Sequence, residues 1–168
     1  HSGKIQLSAA DAAFAGAVDA AQLMANSAKK AGIDIEVVRE PNDGYWSNVW
    51  NNDAKGWCAC YWGGRPAETM MFSAAYVAES KWNDTMWKTT DSAVKFNQLV
   101  KDARKELDES KKRDILFECQ RLIYDDGGLL CPLFNSYVSA NSKKIAHGKI
   151  AANWDSDGAK CVERWWFA

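Results

Sequence analysis

Apolar and polar positions alternate at Ile5, Gln6 and Leu7, which predicts a short opening strand. Ser8-x-x-Asp11 then reads as a helix start: the serine side chain accepts a backbone N–H, and the aspartate favours the positive helix end. Phe14, Val18, Ala21, Ala25 and Ala28 follow at spacings of 4, 3, 4 and 3, one apolar stripe along a helix. Gly32 is placed to cap its C-terminus. Ile33, Ile35 and Val37 alternate with Asp34 and Glu36, so a second strand follows. The order predicts a βαβ unit with parallel strands and a right-handed crossover.

Pro41-Asn42-Asp43-Gly44 has the composition of a turn, and Tyr45 to Trp50 predicts a short helix rich in aromatics. After a loop at Asn51-Asn52-Asp53-Ala54-Lys55-Gly56, Trp57-Cys58-Ala59-Cys60-Tyr61-Trp62 alternates bulky and small residues as a strand does. Gly63-Gly64-Arg65-Pro66 ends it in a turn, since glycine frees the backbone and Pro66 holds Arg65 extended. Two aromatics and a cation are thereby delivered to a loop, where binding groups concentrate; the competing reading is a strand end whose aromatics cap the core. Glu68 to Tyr76 predicts a helix, and Lys81-Trp82-Asn83-Asp84 breaks it.

A helix starting at Thr90 or Asp91 carries the stripe Phe96, Leu99, Ala103 and Leu107. Asp108 to Ser110 is a tight connection to a second helix with Ile115, Cys119, Leu122 and Ile123, stopped by Gly127-Gly128. The two form an αα-hairpin. Leu129 to Phe134 predicts a buried strand that Tyr137 to Ala140 extends after a kink. From Asn141 the pattern weakens into a tail ending in Trp165-Trp166-Phe167, an apolar end expected to pack against something.

A length of 168 residues fits one domain, or one with an appendage, and 47% apolar with 26% charged residues is ordinary globular composition. With 21 Lys and Arg against 22 Asp and Glu the net charge is −1, so no strong field marks nucleic acid or an anionic membrane as a partner. Nine tryptophans are the departure from average; each offers a flat apolar face and one N–H donor. The run Leu129 to Phe134 is far too short to span a bilayer, and His1-Ser2-Gly3-Lys4 opens without a signal-peptide pattern, which leaves the compartment open.

Cys58, Cys60, Cys119, Cys131 and Cys161 include no C-x-x-C pair, and with only His1 and His147 beside them no metal site is expected. Cys58 and Cys60 share one face of a strand and are not expected to bond to each other; Cys119 reads as a small buried hydrophobe. No nucleophile elbow, P-loop, zinc-protease or dinucleotide motif occurs, and Cys60 has no histidine base in reach. The chain reads as a non-enzyme without a cofactor.

The order of several blocks carries a resemblance. They are Ala31-Gly32-Ile33-Asp34-Ile35-Glu36-Val37-Val38, Tyr45-Trp46, Tyr61-Trp62-Gly63-Gly64-Arg65-Pro66, Phe96-x-x-Leu99, the helix 113–124, and Asp126-Gly127-Gly128 leading into Cys131-Pro132-Leu133-Phe134. In this order they resemble the family 5 extracellular solute-binding proteins, the dipeptide- and oligopeptide-type receptors of bacterial ABC importers. The resemblance implies an α/β fold: a single lobe of a two-lobed periplasmic-binding-protein-like architecture, its mixed sheet including the βαβ unit, with the αα-hairpin beside it. Residues 1–140 would be the C-terminal lobe. Residues 141–168 would be a tail returning to an N-terminal lobe absent from this chain, on which Trp165, Trp166 and Phe167 would pack.

The implied role is capture of a peptide or peptide-like small solute between two lobes and its delivery to a membrane permease. The implied location is periplasmic, or extracellular and membrane-anchored. The implied ligand wall is Tyr61, Trp62, Gly63, Gly64 and Arg65, joined by Trp82 and Asn83 from a loop that serves equally to cap the helix after it. One departure bears on the ligand. Peptide binders of this kind place an Asp four residues before the turn proline, against the ligand's α-ammonium, and here Trp62 stands there. The amine partner then comes from elsewhere, or the ligand has no free amine at that point. Arg65 suits a ligand carboxylate or phosphate as a planar fork, or a salt bridge to Glu68 or Asp84. Other readings are a receptor for an opine, sugar conjugate or metal chelate, and a tryptophan-rich carbohydrate-binding module. The last of these is usually all-β, against the helical patterns here.

Overall fold

The computed structural model describes residues 3–52 and 54–168; His1, Ser2 and Asp53, with the expectations that touch them, lie outside the described residues. The chain divides into two compact units, His1–Gly63 with Ala75–Thr90, and Gly64–Ala74 with Asp91–Ala168.

In the first unit, β1 (Ile5–Ala9), α1 (Ala17–Lys30) and β2 (Ile35–Arg39) form the expected βαβ unit, with β1 and β2 parallel in the register Ile5↔Ile35 to Ala9↔Arg39. Gly32, at φ +76°, ends α1: its N–H donates to Lys29 and that of Ile33 to Ala28, a paired closure that needs a left-handed residue. The start of α1 differs from the expectation. Ser8 belongs to β1, where its hydroxyl donates to the Glu40 carboxylate at 3.0 Å, so it does not cap a helix. Turns follow, and α1 begins only after Gly16 at φ +80°, leaving Phe14 exposed ahead of it.

Leu7, Ala9 and Ala21 form one core, with Val18, Ile35, Val37, Trp57 and Ala59 packed on it. A second holds Ala10, Ala13, Ala17, Tyr45 and Val49 around the entry of α2 (Tyr45–Asn48). The strand expected at 57–62 is reduced to a single parallel bridge, Ser8↔Cys58. The Tyr45 phenol explains its brevity: it donates to the Ala59 carbonyl at 2.7 Å, taking the acceptor that a longer ladder would use. The turn expected at 63–66 is also displaced. The chain runs irregularly through Arg65 and bends at Pro66, and Gly64 does not use the left-handed conformation.

Helix α3 (Glu68–Ala75) covers the expected span. In the second unit α4 (Asp91–Lys105) and α5 (Glu109–Asp126) pack as the αα-hairpin. The buried stripe of α4 is Ala93, Phe96, Val100 and Ala103, and that of α5 is Cys119, Leu122 and Ile123. Leu107 departs from its expected place and is 91% exposed, because α4 ends at Lys105. Asp108 then caps α5, accepting the N–H groups of Ser110 and Lys111. At Gly127 a Cβ would lie 2.6 Å from the Ile123 carbonyl oxygen, so α5 can close there only on glycine.

The buried strand expected at 129–134 and 137–140 is absent. Leu130, Leu133, Phe134, Tyr137 and Val138 are exposed, Phe134 by 96%. No described strand pairs with this segment, and Pro132 has no N–H to offer a ladder. The tail does fold. β3 (Ile145–His147) pairs antiparallel with β4 (Trp165–Phe167), and α6 (Asp155–Ala159) and α7 (Cys161–Arg164) lie between them in sequence. Buried Asp157 holds it together: the carboxylate accepts from the Ala151 N–H at 2.6 Å and the Trp165 indole at 3.0 Å, and pairs with Arg164 at 3.0 Å. Trp165 is thus engaged within the tail, while Trp166 and Phe167 remain exposed. No helix among the described residues is long and apolar enough to cross a membrane.

Candidate functional site

Four large aromatic rings of the first unit form a continuous row. Trp46 and Trp50 are four residues apart, a spacing that brings side chains together on helical backbone, and their ring centroids lie 5.8 Å apart. Tyr61 meets Trp46 at 5.8 Å, and Trp62 meets Trp50 at 6.2 Å. The interplanar angles of 66–73° are edge-to-face, the arrangement ring quadrupoles favour. The Tyr61 end is open, with Tyr61 62% and Trp46 40% exposed.

The Trp50–Trp62 end is organised by a carboxylate. Asp84 accepts the Trp50 indole N–H on Oδ1 at 2.5 Å and that of Trp62 on Oδ2 at 3.1 Å, and the Cys60 thiol lies 3.3 Å from Oδ2. Its own N–H donates to the Ala75 carbonyl at 2.7 Å. The side chain is half-buried, and among the described residues of its unit no lysine, arginine or histidine pairs with it. Burial, followed by the negative charge of Asp84, pushes the thiols of both Cys60 and Cys58 up, so they stay protonated, and that of Cys60 donates to Asp84. Iodoacetamide at pH 8 should therefore label exposed Cys131 about tenfold faster than Cys60, read by peptide mass spectrometry; equal rates would mean that Cys60 is not held against Asp84.

The expected wall residues separate by position. Tyr61 and Trp62 lie in the row. Gly63 follows in the same unit, whereas Gly64 and Arg65 belong to the second unit. A methyl group at Gly64 would meet the Tyr137 hydroxyl at 3.6 Å, ordinary contact, so space there does not demand glycine. One Arg65 nitrogen donates to the adjacent Gly64 carbonyl at 3.3 Å. Trp82 is exposed, with the Lys81 ammonium 4.7 Å from its ring centroid. Asn83 is 1% exposed, and its amide nitrogen faces the carbonyls of Tyr76, Val77 and Trp87 at 3.1 Å each. Its amide nitrogen is committed to holding the 76–87 loop. The residues that sequence reasoning missed are Trp46, Trp50 and Asp84. The four-residue spacing of the two tryptophans was a usable signal for that pair. Among the described residues no group of three His, Cys, Asp or Glu is placed to hold a metal ion.

No family model matches the chain, and no curated protein matches it. Two solved structures share its fold. The ABC transporter substrate-binding protein CtaP of Listeria monocytogenes superimposes with a TM-score of 0.57 at 14% identity, over 76% of this chain and 25% of that one. NikZ of Campylobacter jejuni, solved in complex with Ni(L-His), gives 0.53 at 14% identity, over 72% of this chain and 24% of that one. This chain spans about a quarter of the length of either. The fold is mixed α/β and matches a single-lobe portion of these substrate-binding proteins.

Proposed function

We propose that this chain is the ligand-facing part of the solute-capturing receptor of an ABC importer, working in the periplasm or on the outer face of a membrane anchor. The captured solute is small and peptide-like, and it lies against the row Tyr61–Trp46–Trp50–Trp62. That row supports the reading: large aromatic faces run continuously from an open end to one anchored by a carboxylate, as a ligand wall requires. Its partners are a second lobe, which closes over the solute, and the importer's permease. Trp82 and Gly63 belong to the proposed wall as further contacts. Asn83 supports it from beneath.

One wall encloses only part of a ligand, whereas small-molecule sites cover most of it. The chain alone should therefore bind dipeptides and related solutes with a Kd of about 1 mM or weaker, measured from the indole N–H resonances in a nitrogen-15 NMR titration. Shifts confined to Trp46, Trp50 and Trp62 support the wall. Shifts elsewhere only, or sub-micromolar binding by the chain alone, would replace this reading with a self-contained binding domain.

A further inference from the structure

The row and its carboxylate together specify the charge of what they hold, given that the row is the ligand wall. Aromatic faces carry the negative lobe of the ring quadrupole and attract cations. Asp84 adds a negative charge at the Trp50–Trp62 end that no lysine, arginine or histidine among the described residues of its unit pairs with. A second feature narrows the class. A carboxylate offers about four lone-pair positions, and Asp84 already receives two indole N–H groups and a thiol. A primary ammonium, which must place three N–H donors, would find only about one acceptor position left on it. A cation whose nitrogen bears only alkyl groups has nothing to donate, and needs only the field and the ring faces.

We propose that the row Tyr61–Trp46–Trp50–Trp62 with Asp84 is a recognition site for an alkylated, quaternary-type ammonium group on the captured solute. The rings of the row receive the alkyl-ammonium head, and Asp84, bonded to the Trp50 and Trp62 indoles, supplies the balancing charge. Trp62, which stands where a carboxylate is expected before the turn proline, becomes part of the selection: an aromatic ring takes the place of a hydrogen-bond acceptor.

The test follows the indole resonances of the 168-residue chain while choline, ethanolamine or 3,3-dimethylbutan-1-ol is added, probes that share a hydroxyethyl frame and differ only in the head. Choline should bind about tenfold tighter than the neutral isostere and about fivefold tighter than ethanolamine, with shifts at Trp46 and Trp62. Asp84→Asn should weaken choline at least about threefold with little change for the isostere. If that variant does not fold, Tyr61→Leu gives the same information from an exposed ring and should weaken choline at least about threefold with little change for the isostere. Equal binding of choline and its isostere, or tighter binding of ethanolamine, overturns the proposal. The two readings fail separately. If dipeptides move these indoles and choline does not, the ammonium assignment falls and the ligand wall stands. If no solute moves them, both fall.

Discussion

Replacing Asp84 by alanine should lower the stability of the first unit by about 3 kcal/mol. The side chain is an acceptor for the indoles of Trp50 and Trp62 and for the Cys60 thiol, partners drawn from three places between residues 50 and 62. A hydrogen bond to a charged group contributes about 1.5–3 kcal/mol, and a donor left unsatisfied in a buried place costs about 1–3 kcal/mol. Two such indole bonds would total more than 3 kcal/mol, but Asp84 is only half-buried and water can reach part of what the substitution leaves. Asp84→Asn keeps one acceptor oxygen and turns an NH₂ toward the other donor, so it should retain about half of the loss. Urea titration followed by tryptophan fluorescence measures both, because six of the nine tryptophans, Trp50 and Trp62 among them, lie in the first unit. A midpoint for Asp84→Ala within about 0.5 kcal/mol of the parent would mean that the indoles are held by their packing alone and the carboxylate is incidental.

Why Asp84 escapes a reading of the sequence while the βαβ unit does not is a matter of range. Local signals carried the first sixty residues where the interactions are local. Alternation at Ile33, Ile35 and Val37 needs only the neighbouring residue, and Gly32 acts within five residues of the carbonyls it helps to close. The stripes of α4 and α5 likewise needed only helical periodicity, apart from Leu107, which kept the spacing after the helix itself had ended. Ser8 shows the opposite case. Its sequence context suits a helix cap, yet its hydroxyl bonds to Glu40, thirty-two residues on, and its backbone bridges to Cys58. Tertiary partners outbid the local motif.

The two later segments that the sequence presented as strands met the same obstacle, since alternation describes a strand's faces and says nothing of its neighbours. At 57–62 the ladder ends where the Tyr45 phenol takes a carbonyl, and at 129–140 no described strand pairs with the segment. The candidate site was legible by halves. Tyr61 and Trp62 stood out because they precede a Gly-Gly-Arg-Pro sequence, a local signal. Their charged partner lies 22 residues beyond Trp62 in a loop whose sequence offered it only as a counter-ion for Arg65. What places Asp84 is the loop's own scaffold, and that scaffold is Asn83.

Asn83→Ala should therefore destabilise the unit by about 3 kcal/mol, and Asn83→Asp by more. The Asn83 amide nitrogen sits 3.1 Å from each of three carbonyls, those of Tyr76, Val77 and Trp87, and ties the loop into a closed turn beside Asp84. The opposite amide orientation would set an oxygen against all three, so the network fixes which end faces them. Alanine removes the donors and leaves buried carbonyls unsatisfied, at about 1–3 kcal/mol for each that water cannot reach. Aspartate is worse at neutral pH, because a carboxylate then faces three carbonyl dipoles in a buried place. The sign of the pH dependence follows. The protonated form, which keeps one donor, is favoured in the folded state, so the carboxyl introduced by Asn83→Asp has a folded pKa above its unfolded value. Between those two values the folded state binds more protons, and stability must fall as pH rises. Chemical denaturation of Asn83→Asp across pH 4 to 8 should then show its deficit growing with pH, relative to the parent, while that of Asn83→Ala stays flat. A deficit that is equal for the two variants and independent of pH would show that the 76–87 loop is held by other contacts. Asp84 would then be positioned without its neighbour.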